Sequence, residues 1–169
     1  MSQLKVNSIV PVGGLPSGAN GGIIQTIQTV KTDVFSHNST SFTDLTGLSA
    51  TITPSSSSSK ILCDIRIYIS LGSSSGTTTA IFNLVRGSTN IGQPDGSNVH
   101  NATLHNWSSD AYMSTPNMNF LDSPATTSAT TYKVQVKGDG TAATIFVNKY
   151  YNSANYRGIS TLTLYEVTA

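Results

Sequence analysis

Between Lys60 and Leu71 apolar and polar residues alternate almost without interruption. Ile61, Cys63, Ile65, Ile67, Ile69 and Leu71 fall on one side, and Leu62, Asp64, Arg66, Tyr68 and Ser70 on the other. A period of two over a dozen residues predicts one strand with a single buried face. Asp64 and Arg66 then sit on the wet side, as solvated charges or a cross-strand ion pair. The same signal recurs in 131–138, where Tyr132, Val134 and Val136 alternate with Lys133, Gln135 and Lys137. Runs rich in β-branched residues predict further strands at 22–35, 48–54, 79–87, 118–122, 141–151 and 159–168. Between them lie turn formers: the serines 55–59, the stretch 88–98, the segment 123–130 and Gly138-Asp139-Gly140, read as a tight turn between strands.

No window carries a helical period, and the chain contains a single glutamate. Short strands separated by turn signals predict an all-β fold, an antiparallel β-sandwich of jelly-roll type. Strand 22–35 departs from clean alternation, since Ile23, Ile24, Ile27, Val30 and Val34 place apolar groups on both faces. Such a strand is either internal to the domain or covered by a neighbouring subunit. The second reading makes Ile24, Ile27 and Val30 candidates for a trimer interface.

The first 22 residues follow a different pattern. Leu4, Val6, Ile9 and Val10 precede a run dense in proline and glycine, which builds no core of its own. The division predicted is an extended arm over 1–22 and a sandwich over 23–169. The four apolar side chains of the arm are candidates for docking on a sheet edge or groove of another protein.

Composition narrows the function classes. Only 10% of residues are charged and the net charge is +1, so the electrostatic footprint of a nucleic-acid binder is missing. Cys63 is the single cysteine, which excludes an internal disulfide and a thiolate-rich zinc site. No apolar run is long enough for a membrane-spanning helix, and the N-terminus lacks the apolar core of a secretory signal, so cytoplasmic synthesis is expected. The sequons at Asn38 and Asn101 are then incidental.

Candidate chemistry is sparse. His37, His100 and His105 lie in stretches that read as loop, and no ligand set accompanies them. Asp95, Asp110, Asp122 and Asp139 read as turn residues, and Glu166 on the last strand is an isolated candidate acid. No phosphate loop, dinucleotide fingerprint or nucleophile elbow is present. No catalytic residue, metal or cofactor is predicted. Aromatic residues among Asn, Ser and Gly are more informative: Trp107 and Tyr112 in one stretch, and Tyr150, Tyr151 and Tyr156 in another. Such rings either fill the ends of a sandwich or serve as stacking platforms for sugars.

The stretches ITPSSSSSKIL, FNLVRGSTNIG, FLDSPATTSATTYKVQVKG and STLTLYEV resemble the C-terminal β-domain of bacteriophage tail-fibre proteins, including those of cyanophages. The opening SQLKVNSIVP is similar to the tail-bound end of such fibres. The resemblance implies a homotrimeric virion protein, made in the host cytoplasm, whose partners are other virion proteins of the baseplate, tail or capsid. A short tail fibre or baseplate-associated fibre would contact a host surface glycan through 88–116, with Trp107 and Tyr112 at its tip. No extended shaft separates the arm from the β-domain, which leaves a second expectation open: a capsid cement protein decorating the shell as a trimer. A free carbohydrate-binding module is disfavoured by the apolar arm. Neither nucleic acid nor membrane insertion is expected.

Overall fold

The structure is a computed structural model and describes residues 22–72, 78–97, 99–106, 113–139 and 144–168. The docking candidates Leu4, Val6, Ile9 and Val10, and the glycan candidates Trp107 and Tyr112, lie outside the described residues. Among those residues every regular element is a strand, and every pairing is antiparallel.

One layer is built from β1 (Ile23–Lys31), β15 (Ser160–Val167), β4 (Lys60–Arg66) and β10 (Asn117–Asp122), paired in that order. A second short sheet runs β2 (Phe35–His37), β12 (Thr144–Val147), β5 (Ile69–Gly72) and β9 (Met113–Ser114). The two orders correspond strand for strand. β1 continues into β2 and β4 into β5, while β9 leads into β10, each across two or three residues. β12 reaches β15 through the hairpin of β13 (Lys149–Tyr150) and β14 (Ser153–Arg157). The short sheet therefore extends the long one past a corner, as in sandwiches whose strands switch sheets at bends. The opposite layer runs β3 (Thr43–Ile52), β11 (Thr130–Gly138) and β6 (Thr78–Arg86). β7 (Thr89–Ile91) and β8 (Ala102–Asn106) share the next position, pairing with successive halves of β6. With broken strands joined, the first layer has the order first, eighth, third, sixth and the other second, seventh, fourth, fifth. This is a jelly roll.

The alternating apolar residues of both layers meet in one core that includes Ile61, Cys63, Ile65, Phe82, Leu84, Val134, Leu162 and Leu164. Burial pushes the Cys63 thiol up to about 12, with the charge of Asp122 adding to the effect, so it is an inert core group. Arg86 Nη1 bridges to both oxygens of Asp122 at 2.9 and 2.8 Å, and the Tyr132 hydroxyl donates to Asp122 Oδ2 at 2.7 Å, joining the layers through a buried polar group.

Several expectations are corrected. The alternation from Lys60 to Leu71 is two strands in two sheets, and the run 22–35 is likewise divided. The stretch around Asn101 to His105 is not loop, because Ala102–Asn106 pairs with β6. Nor is 88–116 a continuous loop, since it contains β7, β8 and β9. Gly138-Asp139-Gly140 does not close a hairpin between its flanking strands: β11 and β12 belong to different sheets. Asp122 is a buried strand terminus held by Arg86, where a turn residue was expected. β1 is an edge strand with one open face, which excludes the reading of a strand buried on both sides.

Candidate functional site

The corner of the first layer gathers the most polar contacts onto one residue. Asn148, between β12 and β13, is fully buried and has a left-handed backbone with φ of 61°. Asparagine tolerates that conformation better than most residues. Its Nδ2 donates to the carbonyls of Lys31 at 2.8 Å and Asp33 at 3.1 Å, and its Oδ1 accepts from Ser160 Oγ at 2.7 Å. Its backbone N–H donates to the Tyr68 carbonyl at 2.7 Å. Its carbonyl accepts from Gly158 N and from Arg157 Nε. One side chain thus ties the β1–β2 link to the start of β15, while its backbone holds the β4–β5 link and the end of β14.

The strands part at this level and leave two adjoining open grooves. The wall they share consists of Tyr68, 38% exposed, and Ile159, 55% exposed. The Tyr68 ring lies against Gly158, where a methyl group would collide with it, so the backbone of 158 supports one side of the ring. One groove continues to Thr32 and Arg157; the other runs along Arg66, Thr115, Asn117 and Thr161. Arg157 is oriented by donation from Nε to Asn148 O at 2.9 Å and from Nη2 to Thr32 O at 3.3 Å. Arg66 makes no ion pair among the described residues. It does not pair with Asp64, which leaves the solvated reading of both charges. An aromatic ring flanked by fixed hydrogen-bond donors on an open surface can hold a flat polar ligand.

Of the second aromatic cluster, Tyr150 and Tyr156 meet edge to face at 5.9 Å on the β13–β14 hairpin, and Tyr156 is 65% exposed. Tyr151 does not join them. It packs on Phe146 at 6.2 Å and covers Gly72, where a side chain would clash, so it is a packing residue. The trimer candidates also separate. Ile24 and Val30 are exposed, but Ile27 turns inward and packs against the core. Tyr68 was legible only as a residue on the wet side of a strand; its place beside Arg157 depends on the corner.

The candidate acid Glu166 is buried and accepts from Ser55 N and Ser55 Oγ, both at 2.6 Å. Burial pushes its carboxyl up, but hydrogen bonds from Ser55, Ser59 and the backbone of Ser55 and Ser56 outweigh this and leave it below its ordinary value. It is held as a carboxylate that pins the serine turn between β3 and β4. His100 tilts against Phe42 at 5.5 Å, its basicity lowered first by burial and then by Lys137. No group of metal-ligating side chains is assembled among the described residues.

Comparison with known proteins adds little to this geometry. No protein-family model and no curated protein matches the chain. Among solved structures it is similar to the VP2 subviral particle of infectious bursal disease virus, at 17% identity and a TM-score of 0.36 over 95% of this chain. It is similar also to a structure of the Gx strain of that virus, at 16% identity and a TM-score of 0.35. The chain spans 42% of the length of each of those proteins. A likeness at that level carries no argument about what this chain does.

Proposed function

We propose that the chain is a structural protein of a bacteriophage particle, a short tail fibre or baseplate-associated fibre. Residues 1–22 dock it to another virion protein, and the jelly roll is presented as a homotrimeric tip that contacts the host surface. The sequence resemblance supplies the family. The observation that carries an assembly role is the unequal dressing of the two outer faces.

On the β3–β11 side the outward residues include polar groups that satisfy one another, and the apolar Ile81 and Val85 of β6 on the same side are buried. Lys133 and Gln135 both donate to Asp44 at 2.7 Å, and Thr51 meets Thr131 at 2.8 Å. No exposed large apolar side chain among the described residues belongs to β3, β6, β7 or β11. The face of β1, β15, β4 and β10 differs. Cross-strand register aligns Thr26, Tyr165, Leu62 and Leu121 in one row, with Ile23 and Val167 beyond it. Ile23, Ile24 and Leu121 are exposed there. Val30 and Ile159 are exposed at the other end of the same face, so exposed apolar side chains concentrate on this layer and mark an interaction surface.

The arm joins the domain at the end of Ile23, Ile24 and Leu121. Gly22 N donates to Thr168 Oγ1 and Thr168 N donates to Gly22 O, each at 3.1 Å, which fixes the root of the arm beside the last strand. Docking and subunit contact would then share one end of the molecule. The test is to count copies per purified particle by quantitative mass spectrometry, for the full chain and for a chain lacking residues 1–21. A few to a few dozen copies, lost on truncation while the β-domain stays folded, are expected. Hundreds of copies would make it a shell cement protein, and undiminished occupancy without the arm would overturn the docking role.

A further inference from the structure

We propose that the two grooves beside Tyr68 form a binding site for an acidic saccharide, with the ring stacking on a sugar face and Arg66 and Arg157 receiving its negative group. The assignment rests on the host-contact half of the reading above, and it moves that contact from Trp107 and Tyr112 to the corner of the sandwich.

The corner itself creates the site. β1, β4 and β10 each end or begin at one level, and residues 158 and 159 lead into β15 there. The outward side chains at that level are Thr32, Ile159, Tyr68 and Thr115, one step past the paired row of Val30, Thr161, Arg66 and Asn117. Divergence of the strands opens grooves on both sides of the Tyr68 ring. Gly158 backs the ring, so it keeps its orientation without a ligand, which lowers the cost of stacking.

Charge selects the ligand. Both grooves hold an arginine and neither is lined by a carboxylate. The acidic groups closest along the chain are Asp33, held by Lys31 at 2.8 Å and also within reach of the Arg157 charge, and Asp64, one cross-strand row away from Arg66. Arg157 is anchored through Nε and Nη2, which leaves its remaining nitrogen for a ligand. That nitrogen can donate to one oxygen of a carboxylate or sulfate, while the Arg66 guanidinium, in no ion pair among the described residues, can take such a group in two-point geometry. Asn117, Thr115 and Thr161 supply neutral partners for ring hydroxyls. The grooves are open at the surface, as a polymer chain would require for passage along them.

The experiment is titration calorimetry of the full chain at low salt with three acidic probes: oligogalacturonate, oligosialate and a sulfated galactan fragment. The methyl ester of the oligogalacturonate serves as the uncharged control. Binding of at least one acidic probe is expected, weakened about tenfold by Tyr68→Ala, a loss typical of one stacking contact. Arg66→Ala should weaken it similarly and flatten its salt dependence, with an unchanged melting temperature showing that the fold survives. Tyr156→Ala should leave it unaltered. Failure of all three probes, equal binding of the ester, or full affinity in both groove variants would each overturn the site. The result does not depend on where the protein sits in a particle, so the groove and the virion reading can fail separately.

Discussion

At the scale of single residues the fold depends on a few polar groups placed where strands change sheet. Asn148 is the clearest of them. Replacement by alanine removes three side-chain hydrogen bonds, each worth about 1 kcal/mol net. It also gives up asparagine's tolerance of a left-handed backbone, at a further cost of about 1 kcal/mol. Urea unfolding should therefore show Asn148→Ala less stable by about 3–5 kcal/mol. Asn148→Gly loses the same bonds without the backbone strain and should be milder by about 1 kcal/mol. Equal losses would mean that the φ of 61° carries no strain. Glu166 makes a different prediction. Its folded carboxyl is depressed below the ordinary 4.5. Its contribution is then fully present above that value and is lost as pH falls through the folded one. Unfolding followed from neutral to acid pH should show the native protein losing stability in this window relative to Glu166→Gln. Parallel curves would exclude Glu166 as a source of acid sensitivity.

At the scale of elements the corner sets both the stability and the shape of the grooves. Gly158→Ala pushes a methyl group into the Tyr68 ring, and overpacking of this kind costs about 1–3 kcal/mol. The loss should nearly vanish when the same change is made in a Tyr68→Ala background, because the two residues then no longer touch. A loss of the same size in both backgrounds would place the strain in the backbone of 158. The corner also marks where sequence reading stops. Alternation correctly assigned Ile61, Cys63, Ile65, Ile67, Ile69 and Leu71 to the interior, and all six are buried. It could not show that the chain changes sheets at Ile67–Tyr68, since a period of two reports which side faces the core and not which strand lies alongside. For the same reason Tyr68 read as an ordinary wet-face residue. Asp122 was misread because its neighbours Ser123 and Pro124 signal a turn, whereas its partners Arg86 and Tyr132 are 36 and 10 positions away. Asn101 likewise carried only a sequon in the sequence. In the fold its Oδ1 accepts from Leu84 N at 2.8 Å and its Nδ2 donates to Ile91 O and Gly92 O, joining β6 to the end of β7.

At the scale of the whole molecule the β1–β15–β4–β10 face divides along its length. The row of Leu121, Leu62 and Tyr165 lies beside the root of the arm, and the Tyr68 grooves lie at the other end. Six residues along an antiparallel strand separate them by about 20 Å. Between them Gln28, Thr163, Asp64 and Asn119 form a polar row, with Gln28 Nε2 donating to Thr163 Oγ1 at 2.9 Å. The arginine donors lie at the groove end, whereas exposed apolar side chains occur at both, Ile23, Ile24 and Leu121 beside the arm and Val30 and Ile159 by the grooves. The division makes a prediction that neither end makes alone. Charges introduced at Ile24 and Leu121, as in the pair Ile24→Glu and Leu121→Glu, should abolish self-association, because desolvating two carboxylates at an apolar contact costs several kcal/mol. Both side chains are exposed in the isolated domain, so its melting temperature should hold. Saccharide binding in the grooves should persist in the resulting monomer. Sedimentation equilibrium on the native and doubly substituted chains reads the first outcome and calorimetry the second. A native chain that is monomeric at micromolar concentration would remove the trimer. A variant that dissociates and also loses the saccharide would mean that the ligand site is completed by a neighbouring subunit, and the separation of the two ends would be wrong.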